Sequence, residues 1–221
     1  SDLYIKKQIN EVKEISDLVV MEFHTGSEYS IDSGSNENKS MPFADDCNEE
    51  EDYNPLLVAP DRWSKEIRHF AIDNGADLVI CHHPHIIHGV ELYNGKLIAH
   101  SLGNFAFDLD YPETYPTMIL NANVNETGFY EFTITPVYID DYIPQRAEGG
   151  LGLHILDYIA QRSKDLNTYL KVDRENVIAT IIMDTLNMTT YETEYVVELP
   201  LEEVNASWET APYPIDKVGS I

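Results

Sequence analysis

With 221 residues, 43% of them hydrophobic and including 14 Tyr and 7 Phe, the chain has the size and composition of one sizeable domain, or one plus a small appendage, and not of a disordered segment. Its formal net charge of -25 disfavours nucleic acid and anionic membrane as partners, since both need a basic face. No run approaches the roughly 20 apolar residues of a membrane helix, and the opening SDLYIKKQIN lacks the apolar stretch of a secretory leader.

In chain order, Leu3, Ile5, Ile9, Val12 and Ile15 recur at helical spacing and predict an amphipathic helix over residues 3–15. SDLVVMEFH follows, its apolar run Leu18 to Met21 predicting a strand buried on both faces. From Ser27 to Asn54 the composition turns polar and acidic, which predicts a loop or insertion over 27–54. Pro60 opens a second helix with Trp63, Ile67, Phe70 and Ala71 on one face and Asn74-Gly75 as its stop. ADLVICHH is then a second buried strand. Helix, apolar strand, helix, apolar strand is the rhythm of a parallel α/β sheet.

Beyond it, ELYNGKLIA predicts a hairpin around Asn94-Gly95, and TMILNANVNETGFYEFTITPVYI a second one turning near Glu126 to Gly128. These add antiparallel strands at the edge of the first sheet or form a second sheet packed on it. Residues 149–170 return to a helix with Ile155, Leu156, Ile159 and Leu166 on its apolar side, and VIATIIMDTL with TEYVVELPL predicts a last strand pair. The tail from Glu209 reads as irregular.

The acidity favours solubility in salty or extracellular surroundings. Four Asn-x-Ser/Thr sequons, at Asn38, Asn125, Asn187 and Asn205, fit a glycosylated protein of the cell surface or exterior. Cys47 and Cys81 permit one disulfide or two buried free thiols.

In an α/β sheet of this kind ligands bind beyond the carboxyl ends of the strands. Both predicted parallel strands end in histidine: His24 after the first, and His82, His83 and His85 after the second. Neutral imidazole is the commonest nitrogen ligand for Zn, Mn and Fe, and His83-Pro84-His85 can aim two rings into one pocket from a backbone that Pro84 stiffens. The bland alternative is a surface loop with incidental histidines.

IDNGADLVICHHPHIIHGVELYNGKLIAHSLGNFAFD is similar, segment by segment, to the signature of the bacterial CapA or poly-gamma-glutamate synthesis family, in which "GAD" leads through a strand to "GxHPH" and then "SLGNF". DLVVMEFHTGSEY resembles that family's "DvVivslHwGxEY" segment. The resemblance implies a calcineurin-like metallophosphoesterase domain of α/β class, a four-layer α/β/β/α sandwich with a dinuclear site for divalent ions (Mn, Fe or Zn). By position it implies metal ligands at His24, His83 and His85. His82 stands at a variable place beside them. Glu28 and Tyr29 match the family's EY pair, and Ser101 and Asn104 its SLGNF turn, where packing and turn formation are equally good readings. The chain departs from the pattern at Cys81, where the family has Gly, and at Thr25, where it has Trp.

The family's first half, with its "GD" and "NlE" segments, has no counterpart here, and the chain opens on Ser1 rather than Met. The expectation is therefore a C-terminal half, residues 1–148, followed by a helix, hairpin and tail over 149–221. Its missing upstream half would lie on the same protein or another chain. The resemblance implies work on capsule or poly-gamma-glutamate polymer, as a hydrolase or as an accessory to synthesis subunits. A non-catalytic extracellular module and a phosphoesterase are the alternatives.

Overall fold

The two apolar stretches that end in histidine lie side by side, as strands that each follow a helix should. The computed structural model describes residues 2–26, 62–109 and 111–183. Their order is α1 (Asp2–Lys13), β1 (Val20–His24), α2 (Arg62–Asp73), β2 (Leu78–His82), β3 (Val90–Tyr93) and β4 (Lys96–Ala99). After a short 3-10 turn come β5 (Pro116–Asn125), β6 (Gly128–Asp140), β7 (Ile143–Arg146), α3 (Gly149–Lys164), β8 (Leu170–Asp173) and β9 (Ile178–Ile181).

The first sheet has the order β1-β2-β4-β3. β2 runs parallel to both β1 and β4, and β3 joins as the antiparallel hairpin partner of β4. That hairpin turns on Asn94 and Gly95, both at positive φ, as a two-residue turn matched to strand twist requires. α2 stops where the sequence predicted: Gly75 donates to Ile72 O and Ala76 to Ala71 O, the paired bonds of a Schellman cap.

One face of this sheet packs on α1 and α2 through Val19, Val79, Cys81 and Ile98 against Ile5, Ile9, Ala71 and Ile72. The other packs through Leu78, Val90, Leu97 and Ala99 on α3 and the second sheet. β2 is thus buried on both faces, whereas β1 is not. It is an edge strand whose residues alternate, with Val20, Glu22 and His24 exposed, because the second sheet does not reach over them. Likewise α1 is shorter and less immersed than its periodicity implies. Only Ile5 and Ile9 are buried, while Leu3, Val12 and Ile15 face outward. The side chain of Trp63 lies outside the described ones.

The second sheet is antiparallel, ordered β5-β6-β9-β8 with β7 paired to the end of β6. The first predicted hairpin therefore joins the parallel sheet and the second builds the second sheet. α3 is shorter than the predicted 149–170: it ends at Lys164, and Leu166 falls in the turn that follows. Leu151, Ile155, Leu156 and Ile159 place α3 in the same core as both sheets. VIATII does form a strand, paired on one side with β6 and on the other with β8, which lacks an apolar run in the sequence. TEYVVELPL, the acidic loop 27–54 and the tail lie outside the described residues.

Candidate functional site

β1 and β2 are in register from Val20↔Leu78 to His24↔His82, so both strands end at the same level with His24 and His82 on one face. The ladder continues one step further, Thr25 N–H donating to His82 O at 3.1 Å. The chain then turns through His83-Pro84-His85, with φ of 111° at His83 and 62° at His85. Histidine in this left-handed region is uncommon and costs of order 1–3 kcal/mol. The turn brings His83 Nδ1 to 3.0 Å from His24 Nε2, the ring centroids 4.7 Å apart. The His85 ring lies 6.3 Å from that of His83 and 5.1 Å from that of Phe107.

Two features fix ring orientation. The buried Asn104 accepts at Oδ1 from His85 Nδ1, 2.8 Å away, which leaves the imidazole lone pair on Nε2. His82 Nε2 lies 3.2 Å from Glu22 Oε1. Glu22, Phe23, His24 and His82 line an open depression of about 540 Å³. Two nitrogens 3.0 Å apart are close to the separation of roughly 3.3 Å between neighbouring ligands each about 2.0–2.1 Å from a tetrahedral metal. The donor types therefore fit a divalent transition metal. Among the described residues no three His, Cys, Asp or Glu side chains gather tightly enough to hold an ion alone.

Behind this cluster sits a second, buried group of polar side chains that the sequence did not single out. Arg68 of α2, 1% exposed, donates through Nη1 to His100 Nδ1 at 2.7 Å and through Nη2 to Thr25 O and Oγ1 at 3.0 and 3.2 Å. A guanidinium only donates, so His100 Nδ1 accepts, its proton is on Nε2, and Nε2 donates to Glu91 Oε2 at 2.8 Å. His69, stacked on Tyr93, is 2.9 Å from the same oxygen, and Lys65 is 3.8 Å from the other. Burial pushes His100 down to about 4; Glu91 opposes this and the Arg68 charge adds to it. Burial alone would raise Glu91, yet the hydrogen bonds from His100 and His69 and the Lys65 charge outweigh it and hold the carboxyl at about 2. The result at neutral pH is a cation, a neutral imidazole and an anion in a row.

Of the residues the sequence singled out, His24, His82, His83, His85 and Asn104 come together. Ser101 instead builds the turn, its carbonyl accepting from His88 N–H and its hydroxyl from Gly103 N–H. Cys81 is a free thiol buried against the helices, and burial pushes it up to about 11, so it stays protonated and inert. Asn125 is exposed at the tip of the β5–β6 hairpin, bonded to Thr127 of its own sequon. Glu28, Tyr29, Cys47, Asn38, Asn187 and Asn205 lie outside the described residues.

The histidine turn after β2, with Arg68, Glu91 and His100, lies in the segment that carries family similarity, whereas Glu22, His24 and Thr25 precede it. Residues 56–109 match the family model described as bacterial capsule synthesis protein PGA_cap. The chain is similar to the CapA-type capsule synthesis proteins. It is 28% identical over 165 residues to the PGA biosynthesis protein CapA of Bacillus subtilis (strain 168), covering 75% of this chain and 36% of that protein. With the capsule biosynthesis protein CapA of Bacillus anthracis it shares 26% identity over 149 residues, 66% of this chain and 30% of that protein. An uncharacterised protein of Sinorhizobium fredii is 41% identical over 56 residues, 22% of this chain and 12% of its own. The chain thus spans about a third of the length of the two CapA relatives.

Proposed function

We propose that the histidine cluster is one part of a divalent-metal site, and that the chain is the histidine-bearing part of a metallophosphoesterase-like protein of capsule or poly-gamma-glutamate metabolism at the cell surface. The observation that carries this reading is the pair His24 Nε2 and His83 Nδ1, 3.0 Å apart at the ends of adjacent parallel strands. His24, His83 and His85 would hold the ion, Mn, Fe or Zn, with further donors and a second ion supplied by an upstream half. The layering of α1 and α2, the first sheet and the second sheet supplies three layers of the four-layer α/β/β/α sandwich of that fold.

A bound ion at such a place supplies Lewis acidity and a water that ionises near neutral pH. The chain's own residues orient rings around it: Asn104 sets His85, and Glu22 sets His82. A polyanionic substrate would be repelled by a net charge of -25 everywhere except at a cationic pocket, which restricts productive contact to this cluster. The role is hydrolytic or accessory to polymer synthesis by other subunits, and simple phosphate esters are the substrate class to try first.

The absence of a closed ligand set among the described residues favours one other reading, a non-catalytic extracellular binding module on the same fold. Metal analysis of the protein carrying its upstream half separates the two. Stoichiometric Mn, Fe or Zn that His83→Ala and His85→Ala remove is the expected result. A protein that takes up none of the three supports the module.

A further inference from the structure

We infer that Arg68 is the positioning residue of the histidine cluster, a single guanidinium that clamps the ends of β1 and β4 on either side of β2. The inference rests on the metal-site reading above for its consequence but on separate contacts for its geometry.

In the sheet order β1-β2-β4, the central strand is the one that leads into His83-Pro84-His85. Arg68 reaches from α2 to both of its neighbours, to Thr25 O and Oγ1 just past the end of β1 and to His100 Nδ1 just past the end of β4. Thr25 directly follows His24, and its N–H is already bonded to His82 O. Its peptide groups are therefore held on two sides, which fixes where the His24 ring can stand relative to His83. His100 directly precedes Ser101, whose carbonyl receives His88 N–H, and the same turn presents Asn104 to His85. One side chain thus governs the approach of all three proposed ligands. It also fits tightly under them. A Cβ on Gly26 would lie 3.2 Å from Pro84 Cγ and 3.5 Å from Arg68 Nη2, and Gly26 has φ +127°.

Its charge is balanced at a distance. Among the described residues the carboxylate that the Arg68 network reaches is Glu91, one imidazole away, which leaves the guanidinium fork for the two strand ends. A direct Arg–carboxylate pair would lock onto one partner in bidentate fashion. Lysine has no planar fork and reaches one strand end at a time.

The test uses the protein carrying its upstream half, with Arg68→Met and Arg68→Lys, in two measurements. Hydrogen exchange without metal should show faster exchange of the Thr25 and His88 amides in both variants, with the β2 amides unchanged. Zn and Mn titration should show affinity about tenfold or more weaker, the usual size of an effect through a residue that orients a ligand. Unchanged exchange at Thr25 and His88 overturns the clamp. Faster exchange with wild-type metal affinity overturns its positioning role. If the wild-type protein with its upstream half binds no metal, the metal reading fails, and the clamp is judged on exchange alone. If Arg68→Met does not fold, Arg68→Lys carries both measurements.

Discussion

Two groups of histidines lie within one sheet's breadth of each other, and their surroundings are opposite. His100 is fully buried and His69 partly so, and both face one carboxylate oxygen of Glu91 with charges of both signs nearby. His24 and His83 sit at the rim with nitrogen facing nitrogen. The inner group is a hydrogen-bonded network in which, among the described residues, only Arg68 Nε is left without a partner, and its loss would damage the fold. The rim group is a set of imidazoles bonded to each other and to Asn104 on strained backbone, with less to offer stability than to offer a cation that displaces the proton between them.

The largest effect that could break this contrast is Glu91→Ala. Removing the carboxylate leaves Arg68, Lys65 and two imidazoles without their anion, and breaking a buried ion pair from one side costs about 3–5 kcal/mol. Denaturant unfolding should register that loss. Acid should act on the same group: His100 and Glu91 both titrate lower in the fold than their ordinary values of 6.5 and 4.5, at about 4 and about 2. Their contribution is complete above the ordinary values and disappears as pH falls through the folded ones. Stability measured by thermal melts should decline below about pH 6.5 and continue to decline towards pH 2. The rim should behave otherwise. His83→Ala should change stability by no more than about 0.5 kcal/mol while weakening Zn or Mn binding at least tenfold by calorimetry. A rim variant that unfolds the chain, or a Glu91 variant that does not, would erase the distinction.

The sequence displayed the rim well and the interior poorly. Strand ends marked by His24 and His82 were legible because apolar runs of strand length stop abruptly there, and the Asn94-Gly95 hairpin because its turn chemistry is local. Arg68 and His69 were hidden inside an amphipathic helix, where polar residues read as facing water, and Glu91 inside a hairpin. One clue did exist. β4 also ends in a histidine, His100, but with the opposite parity: it continues the face of Ile98, which packs under the helices, whereas His24 and His82 lie on the other face. Glu91 pairs with Ile98 and so shares that inward face. Alternation along the strands separates the two histidine groups once the helices are known to cover one side. β1 misled for a related reason, since an apolar run cannot show which of its faces lies beyond the reach of the second sheet.

The left-handed backbone at His83 also bears on how the chain would respond to selection for robustness alone. Glycine occupies that region without steric cost, so His83→Gly should raise the melting temperature or leave it unmoved, while emptying the loop of its ring. A screen for heat-resistant variants would then discard this histidine, and a screen for metal retention would restore it. The loop is a place where durability and chemistry ask for different residues.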